Sequence, residues 1–208
     1  MKTMIGRLLA LTLLASAPPA TGWAVDVSAE PHAVGSETAP NKLSFVLNPG
    51  CASCEKLFLD LAQPPASQLV AAGELSYTIQ LIYFRLGDLR VDMLARCSGR
   101  FEEALAAAFA RREEWAESVD PATGELKEVD GEVSYAVILS IYAPDFLSYD
   151  EVFQCLRNAE LFEELKARAK TVRETYGIRG TPTTVREGSA IAGYDKFQEI
   201  IADIAGEQ

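Results

Sequence analysis
Leu43-Ser44-Phe45-Val46-Leu47-Asn48-Pro49-Gly50-Cys51-Ala52-Ser53-Cys54 is the stretch that decides the fold. Its first five residues form a short apolar run that the turn residues Asn48-Pro49-Gly50 stop, which reads as a buried strand. From Cys51 the pattern turns helical, with Leu57, Phe58 and Leu61 on one side, until Pro64-Pro65 breaks it. A second helical piece runs to Gly73. Leu75 to Phe84 is rich in β-formers, and Tyr77, Ile79, Leu81 and Tyr83 alternate as strand residues do. Strand, helix, strand is a βαβ unit, and two cysteines spaced CxxC open its helix.

Towards the C-terminus the chain reads as helical from Gly87 to Tyr176. Phe101, Leu105, Phe109 and Trp115 track one helix face, with Glu102, Glu103, Arg111 and Arg112 elsewhere on it. The polar stretch Val119–Glu132, with Pro121, Gly124 and Gly131, lacks the ligand spacing of a calcium loop and is expected to be a solvated connection. Val133–Tyr142 is apolar and reads as a buried helix, with a strand open on periodicity alone. Leu161, Leu165, Val172 and Tyr176 mark a long amphipathic helix stopped by Gly177. Thr183-Thr184-Val185 and Ala190-Ile191 flank Glu187-Gly188 as a hairpin, and Phe197, Ile200, Ile201 and Ile204 predict a closing amphipathic helix.

Towards the N-terminus, Lys2 and Arg7 precede the apolar run Leu8–Ala15, and small residues follow up to Gly22-Trp23-Ala24. This is the pattern of a signal peptide, with cleavage expected after Ala24. The run is shorter than the roughly 20 apolar residues that span a bilayer. Residues 25–41 are small, polar and proline-bearing, and read as a loose lead-in. The chain of 208 residues has 19 bases and 30 acids, a net charge of −11, and without residues 1–24 the balance is 17 to 30. Such a surface is a poor match for phosphate backbones or anionic lipid, so neither nucleic acid nor a membrane is an expected partner. A lone histidine, His32, rules out a multi-histidine metal site, and its place ahead of the strong strand signals argues against a Cys-His catalytic pair.

Export places Cys51, Cys54, Cys97 and Cys155 where disulfides persist. Four cysteines allow three pairings, and the tight Cys51–Cys54 spacing favours one local pair, leaving Cys97 with Cys155. Two separate buried thiols at those positions are the alternative. At a strand-to-helix junction Cys51 can take the N-cap, its sulfur facing the amides of Ser53 and Cys54 and the positive helix end. That setting stabilises a thiolate, the attacking form. Cys54 lies one turn on, placed to resolve a mixed disulfide. Gly180-Thr181-Pro182-Thr183 precedes the hairpin, and a proline there suggests a cis bond at an edge or turn.

The leader, the βαβ unit with CxxC, the helical insertion, the run Tyr176–Thr183 and the final ββα together resemble the DsbA-like thiol-disulfide oxidoreductases of the thioredoxin fold, over about Lys42 to Ala205. The resemblance implies an α/β thioredoxin-like fold (βαβ…ββα) with an inserted helical domain: a leader at 1–24, a lead-in at 25–41, a thioredoxin-like domain at 42–86 and 177–208, and the insertion at 87–176. It implies that Cys51 and Cys54 are catalytic, that Thr181 and Pro182 bind an extended substrate beside Cys51, and that Cys97 and Cys155 form a second, structural disulfide.

Two departures stand out. Members commonly carry Pro-His between the cysteines, whereas this chain has Ala52-Ser53, which implies a less oxidising disulfide. Members often place a carboxylate six residues before the first cysteine, and here that residue is Phe45. The function expected is an exported, periplasmic disulfide exchanger, oxidase rather than isomerase, with no cofactor and no bound metal. Its partners are reduced or misbridged secreted proteins and a redox partner that resets the site. A monomer is expected, since isomerases of this group dimerise through a larger N-terminal region. The alternative is a protein holding copper(I) or zinc between Cys51 and Cys54, since copper(I) accepts two thiolates.

Overall fold
The computed structural model describes residues 27–119 and 126–206; the expected leader lies outside them. The first three strands are β1 (His32–Val34), β2 (Asn41–Leu47) and β3 (Leu75–Leu81). Strand β3 buries Leu75, Tyr77, Ile79 and Leu81 and half-exposes the residues between, so the alternation in the sequence is the alternation of its side chains. Strand β2 runs parallel to it, from Asn41 opposite Leu75 to Leu47 opposite Leu81. Parallel neighbours need a crossover, and helices α1 (Ala52–Leu61) and α2 (Ala66–Ala71) supply it.

After β3 come α3 (Leu86–Cys97), α4 (Phe101–Ala110), α5 (Arg112–Trp115), β4 (Glu117–Val119), β5 (Leu126–Glu128), α6 (Gly131–Tyr142), α7 (Tyr149–Leu156) and α8 (Ala159–Tyr176). Caps set several of these boundaries: the Asp130 carboxylate accepts from the amides of Glu132 and Val133, and Ser148 and Glu151 form a capping box. Gly177 ends α8 in the left-handed conformation, at φ 61°. The chain then returns to the sheet as β6 (Thr183–Arg186) and β7 (Ser189–Ala192) and closes with α9 (Tyr194–Ala205). The sheet order is β1-β3-β2-β6-β7, with β2 and β3 the parallel pair.

Helices cover both faces of the sheet. On one, Phe45 of β2 packs edge-on against Phe197 of α9 at 5.5 Å, in a core shared with Leu57 and Leu61 of α1. On the other, Ala169 and Val172 of α8 pack with Val46, Ile82, Ile178 and Val185. Strand β2 is therefore buried on both sides at its C-terminal end, which explains a continuous apolar run where β3 alternates. The helices between β3 and β6 bury Met93, Leu94, Leu105, Phe109, Trp115, Ile138 and Tyr142 in continuity with the first core. Cys97 of α3 and Cys155 of α7 are joined as a disulfide.

Three readings change. Residues His32–Val34, read as loose lead-in, pair antiparallel with β3, and His32 stacks on Phe101 at 4.6 Å. Three residues are too few to carry a period-two signal. The helix expected to run from Phe101 to Trp115 breaks at Arg111 (φ −117°, ψ 19°). A buried indole N–H needs an acceptor, and the break lets Trp115 Nε1 donate to the Ala108 carbonyl at 2.8 Å. The connection around Val119–Glu132 contains strand pairing, Glu117 opposite Glu128 and Val119 opposite Leu126, while residues 120–125 lie outside the described residues.

Candidate active site
The site begins where β2 runs out of partners. After Leu47 the chain turns through Asn48-Pro49-Gly50, and the Cys51 amide donates to the Asn48 carbonyl at 3.1 Å. Cys51 takes the N-cap of α1 with extended backbone (φ −98°, ψ 121°), and no side chain caps the helix. The Cys51 sulfur instead faces the first-turn amides of Ser53 and Cys54, the latter also donating to the Cys51 carbonyl at 3.1 Å. Cys51 is half-buried, and Cys54, one turn on, is wholly buried. Both are free thiols.

A second loop completes the site from 130 residues away. Cys51 Sγ lies 3.5 Å from the Thr181 carbonyl oxygen, and the Thr181–Pro182 peptide is cis. Pro182 stands just before the first residue of β6, an interior strand, so it removes no ladder hydrogen bond. Thr183 Oγ1 donates to the Gly180 carbonyl at 2.9 Å, and the Gly193 amide to the Pro182 carbonyl at 3.0 Å. These bonds hold the loop that faces Cys51.

The two sulfurs are pushed in opposite directions. A hydrogen bond from the Cys54 thiol lowers the Cys51 pKa to about 6, against the opposing effect of burial. The Thr181 side chain and the amides of Cys54 and Ser53 add to the lowering. The Thr181 carbonyl pulls the other way, since it accepts from the protonated thiol, but four donors outweigh it. At pH 7 such a group is about nine-tenths thiolate, against about 1% for a cysteine at the ordinary value of 9.0. Burial, then the hydrogen bond and charge of Cys51, push Cys54 far above the ordinary thiol range. One sulfur is an accessible nucleophile and good leaving group, and the other is a shielded thiol behind it.

Two further residues, which sequence reasoning missed, brace this arrangement. The Asn48 amide points at Cys54 Sγ at 3.4 Å, and its side chain donates to the Ile82 carbonyl at 3.0 Å and to Asp88 Oδ2 at 2.7 Å. Asp88 is wholly buried, and the same oxygen accepts from the amides of Phe84 and Arg85, capping α3. Its other oxygen faces Gly50: a Cβ there would stand 2.8 Å from Oδ1. An Asn-Pro-Gly turn and a first-turn helix acid are the only sequence signals of this brace, and neither shows that the two meet. Phe45, six residues before Cys51, is fully buried. Ala52 and Ser53 are exposed and place no charge on Cys51. Among the described residues, no group of three or more His, Cys, Asp or Glu side chains could hold a metal ion.

Known structures share this architecture. α-DsbA1 from Wolbachia pipientis is 15% identical, with a TM-score of 0.67 over 86% of this chain and 92% of that one. A protein-disulfide isomerase from Novosphingobium aromaticivorans is 18% identical (TM-score 0.66; 84% and 97% covered), and BdbD from Bacillus subtilis is 14% identical (TM-score 0.62; 85% and 92%). No curated protein matches the sequence. The fold is thus the thioredoxin-like fold of the DsbA proteins. A family model described as Thioredoxin matches residues 28–203, nearly all that the structure describes, and the chain belongs to that thioredoxin family.

Proposed function
We propose that this chain is an exported, DsbA-type thiol-disulfide oxidoreductase that forms disulfides in other proteins. The observation that carries the reading is the asymmetry of the pair: an accessible Cys51 with a pKa lowered to about 6, ahead of a buried Cys54. In the oxidised enzyme a substrate thiolate attacks Cys51 Sγ. The Cys51–Cys54 bond breaks, and Cys54 leaves with the electron pair and takes a proton. The second substrate thiolate then attacks its partner sulfur in the mixed disulfide, and Cys51 departs as a thiolate. The substrate loses two electrons and two protons; the enzyme is left with a Cys54 thiol and a Cys51 thiolate, and the second proton goes to solvent.

Thr181 and Pro182 hold the substrate backbone beside Cys51, the part at 42–86 and 177–208 carries the chemistry, and the helical part at 87–176 is an insertion in it. A stabilised Cys51 thiolate favours the reduced enzyme, so oxidation of the substrate is the preferred direction. The working form is a monomer in the periplasm, reset by a redox partner. No helix among the described residues is long and apolar enough to cross a membrane.

The test is trapping. Cys54→Ala should accumulate mixed disulfides with protein substrates and Cys51→Ala none; trapping by Cys51→Ala would overturn the assignment. Copper or zinc bound stoichiometrically to a protein that traps nothing would favour the metal-binding alternative.

A further inference from the structure
A groove of about 1010 Å³ lies between the loop that follows β3 and the length of α8. Phe84 and Leu86 stand on its wall 53% and 50% exposed, unusual for side chains of this size, and Phe162 lies on the α8 side. Four cations, Lys166, Lys170, Arg173 and Arg179, line it against two carboxylates, Glu163 and Glu174, and Arg85 lines it too while its guanidinium donates to the Ala116 carbonyl at 3.2 Å. Without Arg85 the local charge is +2, on a chain whose net charge is −11. The cations sit over the rings, Arg173 at 5.7 Å from the centre of Phe84 and Lys166 at 4.9 Å from that of Phe162. Apolar and cationic character are thus interleaved along one surface.

Two of its lining residues, Arg179 and Arg85, adjoin the two loops of the active site. Arg179 lies two residues before Thr181, whose carbonyl is 3.5 Å from Cys51 Sγ. The Arg85 guanidinium would stand 3.1 Å from a Cβ on Gly50, the residue before Cys51. From Phe162 to Arg173 the helix rises about 17 Å, the length of about five extended residues.

We propose that this groove is a substrate subsite for an extended protein segment in which acidic and apolar residues flank the reacting cysteine. The inference rests on the oxidoreductase reading and adds a substrate class to it. Opposite charge draws the segment in and orients it, and the apolar walls take its side chains. Paired Lys166–Glu163 (3.1 Å) and Lys170–Glu174 (3.8 Å) are exposed ion pairs that an incoming carboxylate can join at small cost.

The test separates binding from chemistry. The probe is a fluorescent peptide of about ten residues, with alternating Glu and Phe beside a serine in place of cysteine, and a counterpart with Lys for Glu. Fluorescence anisotropy on the oxidised protein should show the acidic peptide bound at least about tenfold more tightly at low salt, with the preference fading above about 0.3 M. Lys170→Glu with Arg173→Glu should reverse the preference, and Phe84→Ala should weaken both peptides. Equal binding of the two peptides, or a preference that survives charge reversal, overturns the groove assignment. Oxidation of dithiothreitol, a small neutral dithiol, is the companion measurement and should be unchanged in the Lys170→Glu, Arg173→Glu variant. Failure of the wild type to oxidise it refutes the oxidoreductase reading instead, and the substrate role with it.

Discussion

Raising the pH from 5 to 9 should stabilise the reduced protein against the oxidised one, and the size of the effect follows from Cys51. Its folded pKa is about 6, against an ordinary value of 9.0. The folded state therefore releases its proton first, and between these values the unfolded chain binds more protons than the native one. The stabilisation is fully present above the unfolded pKa and is lost as pH falls through about 6. Over the whole window three pKa units correspond to about 4 kcal/mol, and at pH 7, one unit above the folded value, to about 1.4 kcal/mol. For a two-electron couple these become about 90 mV and about 30 mV of added oxidising power. Cys51 is only half-buried, so solvent screening makes both figures upper bounds. The disulfide form has no thiol to titrate and serves as the internal reference. Guanidinium unfolding of both forms across the range measures the difference, and thiolate absorbance measures the pKa directly. A stability gap that stays flat between pH 6 and pH 9, or a Cys51 pKa at or above about 8.5, would refute the reasoning.

The potential itself should lie between roughly −120 and −270 mV, and Ser53→His should raise it and lower the Cys51 pKa, because an imidazolium beside the sulfur stabilises the anion; equilibration against glutathione reads both. Replacing Cys97 and Cys155 together by alanine should cost on the order of 4 kcal/mol in the chain-entropy model, given their separation of 58 residues, while leaving the Cys51 pKa in place. Thermal unfolding and thiolate titration separate the two effects. Gly50→Ala drives a Cβ to 2.8 Å from Asp88 Oδ1 and should destabilise the reduced protein by about 1–3 kcal/mol. The same variant should slow exchange with dithiothreitol, because the turn that carries Cys51 must shift; an unchanged rate would show the brace to be purely structural.

The parts of the molecule legible in the sequence are those governed by local rules. The alternation over Tyr77, Ile79 and Leu81, the stop at Gly177 and the hairpin turn at Glu187-Gly188, with left-handed φ values of 53° and 78°, are each settled by a few neighbouring residues. Placement of CxxC at a helix N-terminus followed from the same logic. The brace behind it did not, because Asn48 and Asp88 are 40 residues apart and meet only once β3 lies beside β2. Strand β1 escaped because its pairing with β3 is a tertiary contact of three residues. The break at Arg111 escaped because it answers the need of the buried Trp115 indole, which the helical spacing of Phe101, Leu105 and Phe109 does not register.

The ladder between β2 and β6 sets Val46 opposite Thr183, and these two residues lead directly to the two halves of the site. Cys51 and Thr181 are thus aligned by peptide groups, which every amino acid except proline carries in full. Side chains around the site can drift without moving its two halves apart, provided they keep the strands paired. This gives a mechanical reason why a chain only 15% identical to α-DsbA1 can superpose on it with a TM-score of 0.67. It also leaves the residues between and around the cysteines open to change, so the chemistry can be retuned without rebuilding the frame that holds it.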